Sequence, residues 1–190
     1  DEYKGLYQLH NLGGGTAKTV FASIISRYQD PDGDLGISDE GWEIAAKFLG
    51  NAHNIADGED AVGSVINGTY PMDEHWASGV LTEQKDRDYK FQIMTPDIGE
   101  PYVVESLAIS AGTKKYDTCV AFLNWLGSSD VQLDWSNNYG TIPCQKEALT
   151  QVSDDIKELM ETLKPQDLDW SFIAENVDAW VEKAELEYVQ

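Results

Sequence analysis

Residues 7–28 read YQLHNLGGGTAKTVFASIISRY, and the fold turns on what three consecutive glycines do between an apolar segment and an amphipathic one. YQLHNL alternates loosely and stops at Gly13, the pattern of a strand. Beyond the glycines, Val20, Phe21, Ile24, Ile25 and Tyr28 recur on one face of a helix. Glycines in a row lose backbone entropy on folding and pack nothing, so the run marks a turn or a close approach of the backbone to something else. Two named phosphate loops fail by position. A P-loop with Lys18 as its lysine needs glycines where Leu12 and Ala17 stand, and the dinucleotide fingerprint needs a third glycine at Lys18 or Thr19. Two readings stay open. Successive N–H groups from Gly13 to Thr16 at a helix N-terminus, with the Thr16 hydroxyl and help from Lys18 and Thr19, make a seat for a carboxylate, phosphate or phosphonate. Alternatively the glycines only turn the chain and Thr16 only caps the helix.

Working outward, QDPDGDLG (29–36) is a turn-rich breaker, and Ser38 can cap a second helix with Trp42, Ala45, Ala46 and Leu49 on one face. A helix stopped at Gly68, a brief strand at YPM and a small-residue turn HWASGVL leading into another helix follow. KFQIM and YVVESLAIS read as strands around the loop TPDIGEP. After Ser110 the periodicity turns helical. One helix carries Cys119, Phe122, Leu123 and Leu126, a short one follows Gly127, the next carries Ile156, Leu159, Met160 and Leu163, and the last carries Val177, Trp180, Val181 and Ala184. The pattern predicts an α/β fold with a helical extension behind it.

The 190 residues carry 34 acidic against 13 basic side chains, a formal net charge of −21, and no stretch gathers enough lysine or arginine to track a phosphate backbone. Nucleic acid and anionic lipid are therefore excluded as partners. No apolar run reaches the roughly 20 residues that span a bilayer, and DEYKGLYQ lacks the basic and apolar regions of a signal peptide, so a mature or trimmed soluble chain is expected. Cys119 and Cys144 have no metal-ligand spacing, and Cys119 is expected as a small core hydrophobe rather than half of a disulfide. Asp30, Asp32 and Asp34 start a calcium-loop spacing that breaks at Leu35 and Gly41, which favours a surface turn. Trp76, beside the small residues Ala77, Ser78 and Gly79, reads equally as a stacking wall for a ligand or as core. His10, His53 and His75 show no catalytic spacing, so no enzyme, cofactor or metal site is expected.

Several segments, in order, resemble one family: DEYKGLYQLHNLGGGTAKTVFASIISRY (1–28), GEDAVGSVINGTYPMDEHWASGVL (58–81), GEPYVVESLAISAGTKKYDTCVAFLNWLGSSDVQLDW (99–135), NNYGTIPCQKEAL (137–149) and LKPQDLDWSFIAENVDAWVEKAELEY (163–188). They are similar to the second half of bacterial extracellular solute-binding proteins of ABC importers, in the type II group that includes iron(III), thiamine, polyamine and 2-aminoethylphosphonate binders. The helix ending FLNWLGSSDVQ followed by YGTIP carries much of the likeness. The resemblance implies two lobes that close on a ligand. Residues 1–110 would be the second lobe, and 111–190 helices that the family packs largely on the first lobe, so the chain looks like a fragment. Those helices are expected to fold back on the second lobe or to pair with another copy.

Carried over residue by residue, the resemblance implies ligand contacts at Gly13, Gly14, Gly15 and Thr16, at Trp76, Ser78 and Gly79, and at Tyr102 and Glu105, with Tyr139 on the first-lobe side. Iron binders of the group offer adjacent tyrosines, and this chain has no Tyr-Tyr pair. A phosphorylated, phosphonate or other anionic solute suits the glycine loop, whereas a polyamine or thiamine-type cation suits the acidic surface. The implied partners are a small solute and the ABC permease, and the implied location is extracytoplasmic, with lipid anchoring of the full-length protein. A small phosphate-handling enzyme is the rival class, but the loop supplies a threonine hydroxyl with no evident base.

Overall fold

A computed structural model describes residues 2–189. The chain forms two compact units, one made of the residues up to 75 together with those from 167 onward, the other of residues 76–166.

In the first unit, β1 (Tyr7–Leu9) lies between β3 (His53–Asn54) and β4 (Met72–Asp73), all parallel, with Gln8 in register with His53 on one side and Asp73 on the other. Being central, β1 is buried, and Gln8 Nε2 meets the requirement for a partner by donating to the Ala61 carbonyl at 2.7 Å. Helices α1 (Gly15–Ile25) and α2 (Asp39–Asn51) follow β1, and α3 (Ala61–Asn67), stopped by left-handed Gly68, leads to β4. Ser38 caps α2 as its position predicts, accepting from the Gly41 N–H at 3.3 Å. The last helix, α9 (Trp170–Glu187), returns to pack on α1 and α2, and buries Trp180, Val181 and Ala184 against Phe21, Ile25, Trp42 and Leu49.

The acidic breaker has more structure than its composition suggests. Residues Gln29–Asp34 form β2, which folds back so that Gln29 and Asp34 both bridge Ile37. Two indoles pin the reversal from outside it: Trp42 Nε1 donates to the Asp34 carbonyl and Trp180 Nε1 to the Leu35 carbonyl, each at 2.9 Å. Lys183 Nζ adds an ion pair to Asp34 at 3.3 Å. Asp30 Oδ1 is taken by the Asp32 N–H, as in a turn. A Cβ at Gly33 would fall far inside van der Waals contact with the Ile37 carbonyl. Gly33→Ala is therefore expected to cost about 2 kcal/mol, read as a lower urea midpoint, because backbone on both sides of the reversal must move.

The second unit holds α4 (Ala77–Arg87), α5 (Tyr116–Leu126), α6 (Ser129–Tyr139), α7 (Lys146–Leu149) and α8 (Asp154–Thr162), with α6 packed on α4, α5 and α7. Two expectations are corrected here. KFQIM and YVVESLAIS are not strands: neither segment is hydrogen-bonded into a sheet among the described residues, and Val103, Val104 and Leu107 are exposed. β-branched composition favours a pleated surface but cannot replace a neighbouring strand. Only Glu100 finds a bridge, to Pro165, with hydrogen bonds of 2.8 Å to Lys164 and Gln166. Cys119 is half-buried rather than core, because α5 buries no residue fully and leaves Phe122 and Trp125 exposed; both cysteines are free thiols.

Candidate functional site

The parallel order β3-β1-β4 makes the carboxyl end of β1 a topological switch point. The chain leaves β1 through α1 and α2 to reach β3 on one side, then crosses through α3 to β4 on the other. Connections that diverge from one strand end leave a crevice there, the usual place for a ligand in an open parallel sheet. Both features that carry chemistry in this unit, the glycine loop and a histidine-carboxylate cluster, begin at this strand end.

In the loop, the Gly13 N–H donates to Asn11 Oδ1 at 2.7 Å and the Gly14 N–H to the Asn11 carbonyl at 2.9 Å. Gly14 is the N-cap, Gly15 the first helical residue, and no side chain caps α1. This corrects two sequence readings. Gly13 and Gly14 spend their donors on the turn, and Thr16 sits inside the helix instead of capping it. The N–H groups at the start of the helix are those of Gly15, Thr16 and Ala17, which helix geometry leaves without an intrahelical acceptor. No acidic residue occupies the first turn, so the positive end of the helix dipole is uncompensated. Gly15 is exposed, and a Cβ there would meet nothing within 4 Å. Lys18 and Thr19 point their donors elsewhere, Lys18 Nζ to Asp178 at 3.0 Å and Thr19 Oγ1 to the Gly15 carbonyl at 2.7 Å.

The cluster unites residues that sequence spacing kept apart. His10 follows β1, Asp73 ends β4, and Glu74 and His75 come next; Glu74 Oε1 accepts from the His10 N–H at 3.0 Å across 64 positions of sequence. Asp73 stands 4.0 Å from an imidazole nitrogen of His10 through one oxygen and 4.0 Å from one of His75 through the other. Its side chain is only 8% exposed. Burial pushes the Asp73 carboxyl up to about 6, against the opposing pull of His10. Burial, with the adjacent Asp73 charge adding to it, pushes Glu74 up to about 7, and the His10 hydrogen bond only partly offsets the rise. On the β3 side of the same strand end, Leu9, His10, Asn11, Asn54 and Ile55 line a pocket of about 310 Å³ with the end of α9.

The other sequence-derived residues belong to the second unit. Trp76 is the N-cap of α4 and is about half exposed, so it is not core. Ser78 and Gly79 lie in the first turn of α4; Gly79 is buried, and the Ser78 carbonyl faces the left-handed Gly140 at the end of α6. Tyr102 and Glu105 lie outside any helix or strand. Tyr139 is exposed at the end of α6 and packs its ring 5.1 Å from that of Trp135.

Comparison with known proteins matches residues 3–165 to the family described as bacterial extracellular solute-binding protein. A protein of Sinorhizobium fredii named probable ABC transporter periplasmic-binding protein y4fP is 32% identical over all 190 residues, which cover 52% of its own length. The chain thus spans about half of that relative. Among solved structures, a ferric binding protein from Campylobacter jejuni matches 98% of the chain and 59% of its own, with a TM-score of 0.73 and 22% identity, a likeness of fold.

Proposed function

The chain belongs to the bacterial extracellular solute-binding proteins, and from that premise we propose that it carries part of the solute-holding cleft of an ABC importer's capture protein, with an anionic group of the solute seated on the start of α1. The observation that carries this reading is the uncapped first turn at Gly15, Thr16 and Ala17, exposed at Gly15 and placed at a switch point of the sheet. Three N–H donors and the helix dipole favour a phosphate, phosphonate or carboxylate there. The named relatives are binding proteins and not enzymes. Ferric iron is the cargo named for the Campylobacter protein; the lack of adjacent tyrosines in this sequence argues against it here. In this reading the permease is the membrane partner, and the location is outside the cytoplasmic membrane with a lipid anchor on the full-length protein. Exposed Phe122 and Trp125 on α5 are the surface on which self-association would be sought by sizing at several concentrations.

The test is an amide NMR titration of this chain with phosphate, 2-aminoethylphosphonate, thiamine and spermidine, alongside the variant Gly15→Asp. An aspartate at the first helical position suits the dipole and meets open space, so thermal stability is expected to hold or rise. The same carboxylate repels an anion. Shifts at Gly15 and Thr16 with the phosphorus compounds, weakened at least tenfold in Gly15→Asp, are the expected result. Shifts with thiamine or spermidine alone would overturn the anion assignment.

A further inference from the structure

We propose that His10, Asp73 and His75 form a binding site for a divalent transition-metal ion of the zinc class, a site that goes beyond the anion seat on the glycine loop and does not depend on it. The parallel pairing of β1 with β4 delivers His10 and Asp73 to one spot, and His75 follows two positions later. One donor atom from each of the three lies within 4.8 Å of the other two. The separations of 4.0 Å from Asp73 to each imidazole are too long for hydrogen bonds. A tetrahedral zinc with bonds near 2.1 Å holds its donor atoms roughly 3.4 Å apart, so donor atoms that all lie within 4.8 Å of one another close on an ion with a contraction of at most about 1.4 Å at any pair.

The remaining partners fit the same assignment. Asp73 Oδ1 and His10 Nε2 are buried with no hydrogen-bond partner among the described residues, and buried polar atoms without a partner are rare and costly. Asp73 presents one oxygen to each histidine, which a bridging proton could serve only one at a time. Glu74, its Oε1 engaged by the His10 N–H, fixes the backbone from which that ligand projects. Two imidazoles with one carboxylate select zinc, cobalt, nickel or iron(II) over magnesium and calcium, which prefer all-oxygen sites. Three protein donors also leave a coordination position for water or for a donor atom of a solute.

With a net charge of −21, the surface attracts cations of every kind, so the test must separate a built site from that background. Cobalt(II) is titrated into the chain in a large excess of Mg²⁺, with its visible absorption followed. One equivalent giving the intense bands of a four- or five-coordinate ion, displaced by zinc, is expected. Asp73→Asn and His10→Gln should each weaken binding at least tenfold and abolish those bands. His10 is partly exposed, so His10→Gln keeps the fold and decides the matter if the buried Asp73 variant does not. Cobalt that stays weakly absorbing and octahedral, or binding equal in wild type and His10→Gln, would overturn the site and leave the anion seat on α1 untouched.

Discussion

Replacing Trp180 with alanine is expected to lower stability by about 4 kcal/mol. The side chain is fully buried, tilted against Phe172 with ring centroids 5.3 Å apart, and its Nε1 donates to the Leu35 carbonyl. Truncation removes a large apolar volume from the centre of the core and also takes the indole donor away from that carbonyl. Against a total stability of about 5–15 kcal/mol for a typical domain, such a loss leaves little margin. Trp180→Phe divides the two contributions. It keeps most of the packing and loses the indole donor, so a cost of about 1–2 kcal/mol is expected. Urea unfolding followed by far-UV circular dichroism measures both. If Trp180→Ala costs under about 1 kcal/mol, α9 is not docked on α1 and α2 as described, and the core of the first unit must be drawn again.

Trp180 also illustrates what a sequence reveals and what it withholds. Its place on the buried face of α9 follows from the spacing of Val177, Trp180, Val181 and Ala184, and the strand, glycine loop and helix of residues 7–25 follow from a change of period across Gly13–Gly15. Local pattern suffices because each depends on neighbours three or four positions away. Its indole bond to Leu35, 145 positions distant, has no local signal. The same holds for His10 with Asp73 and His75. Histidine spacing read along the chain shows nothing, because the cluster is assembled by strand pairing; the one trace in the sequence is Asp73 and His75 two apart at the end of a short strand. The glycine loop was legible as a loop, but which N–H groups stay available depends on Asn11 turning back onto Gly13 and Gly14. At YVVESLAIS the failure runs the other way, since residues that favour strands lie where no strand pairs with them.

Glu74→Gln is expected to raise stability at pH 8 by on the order of 2 kcal/mol more than it does near pH 5, in protein kept metal-free with a chelator. The native carboxyl titrates at about 7 against an ordinary value of 4.5, chiefly because it is buried. Between those two values the folded chain holds a proton that the unfolded chain has released. Native protein therefore binds more protons, and the free energy of unfolding falls as pH rises through that window. The contribution is complete below about 4.5 and gone above about 7. Asp73, raised to about 6 by burial, acts in the same direction over a lower window, and the two are neighbours whose charges oppose each other, so their effects do not simply add. A net charge of −21 also relaxes on acidification, which would tilt the curve of any variant in the same sense. The comparison of wild type with Glu74→Gln removes that shared background. Glutamine keeps an oxygen to accept from the His10 N–H and cannot ionise, so its curve should run parallel to wild type at low pH and stay above it once Glu74 has lost its proton. Urea midpoints at pH 5 and pH 8 give the answer. Equal differences between the two pH values in both proteins would mean that Glu74 is solvated when ionised, and that the carboxyl end of β4 is wetter than its burial implies.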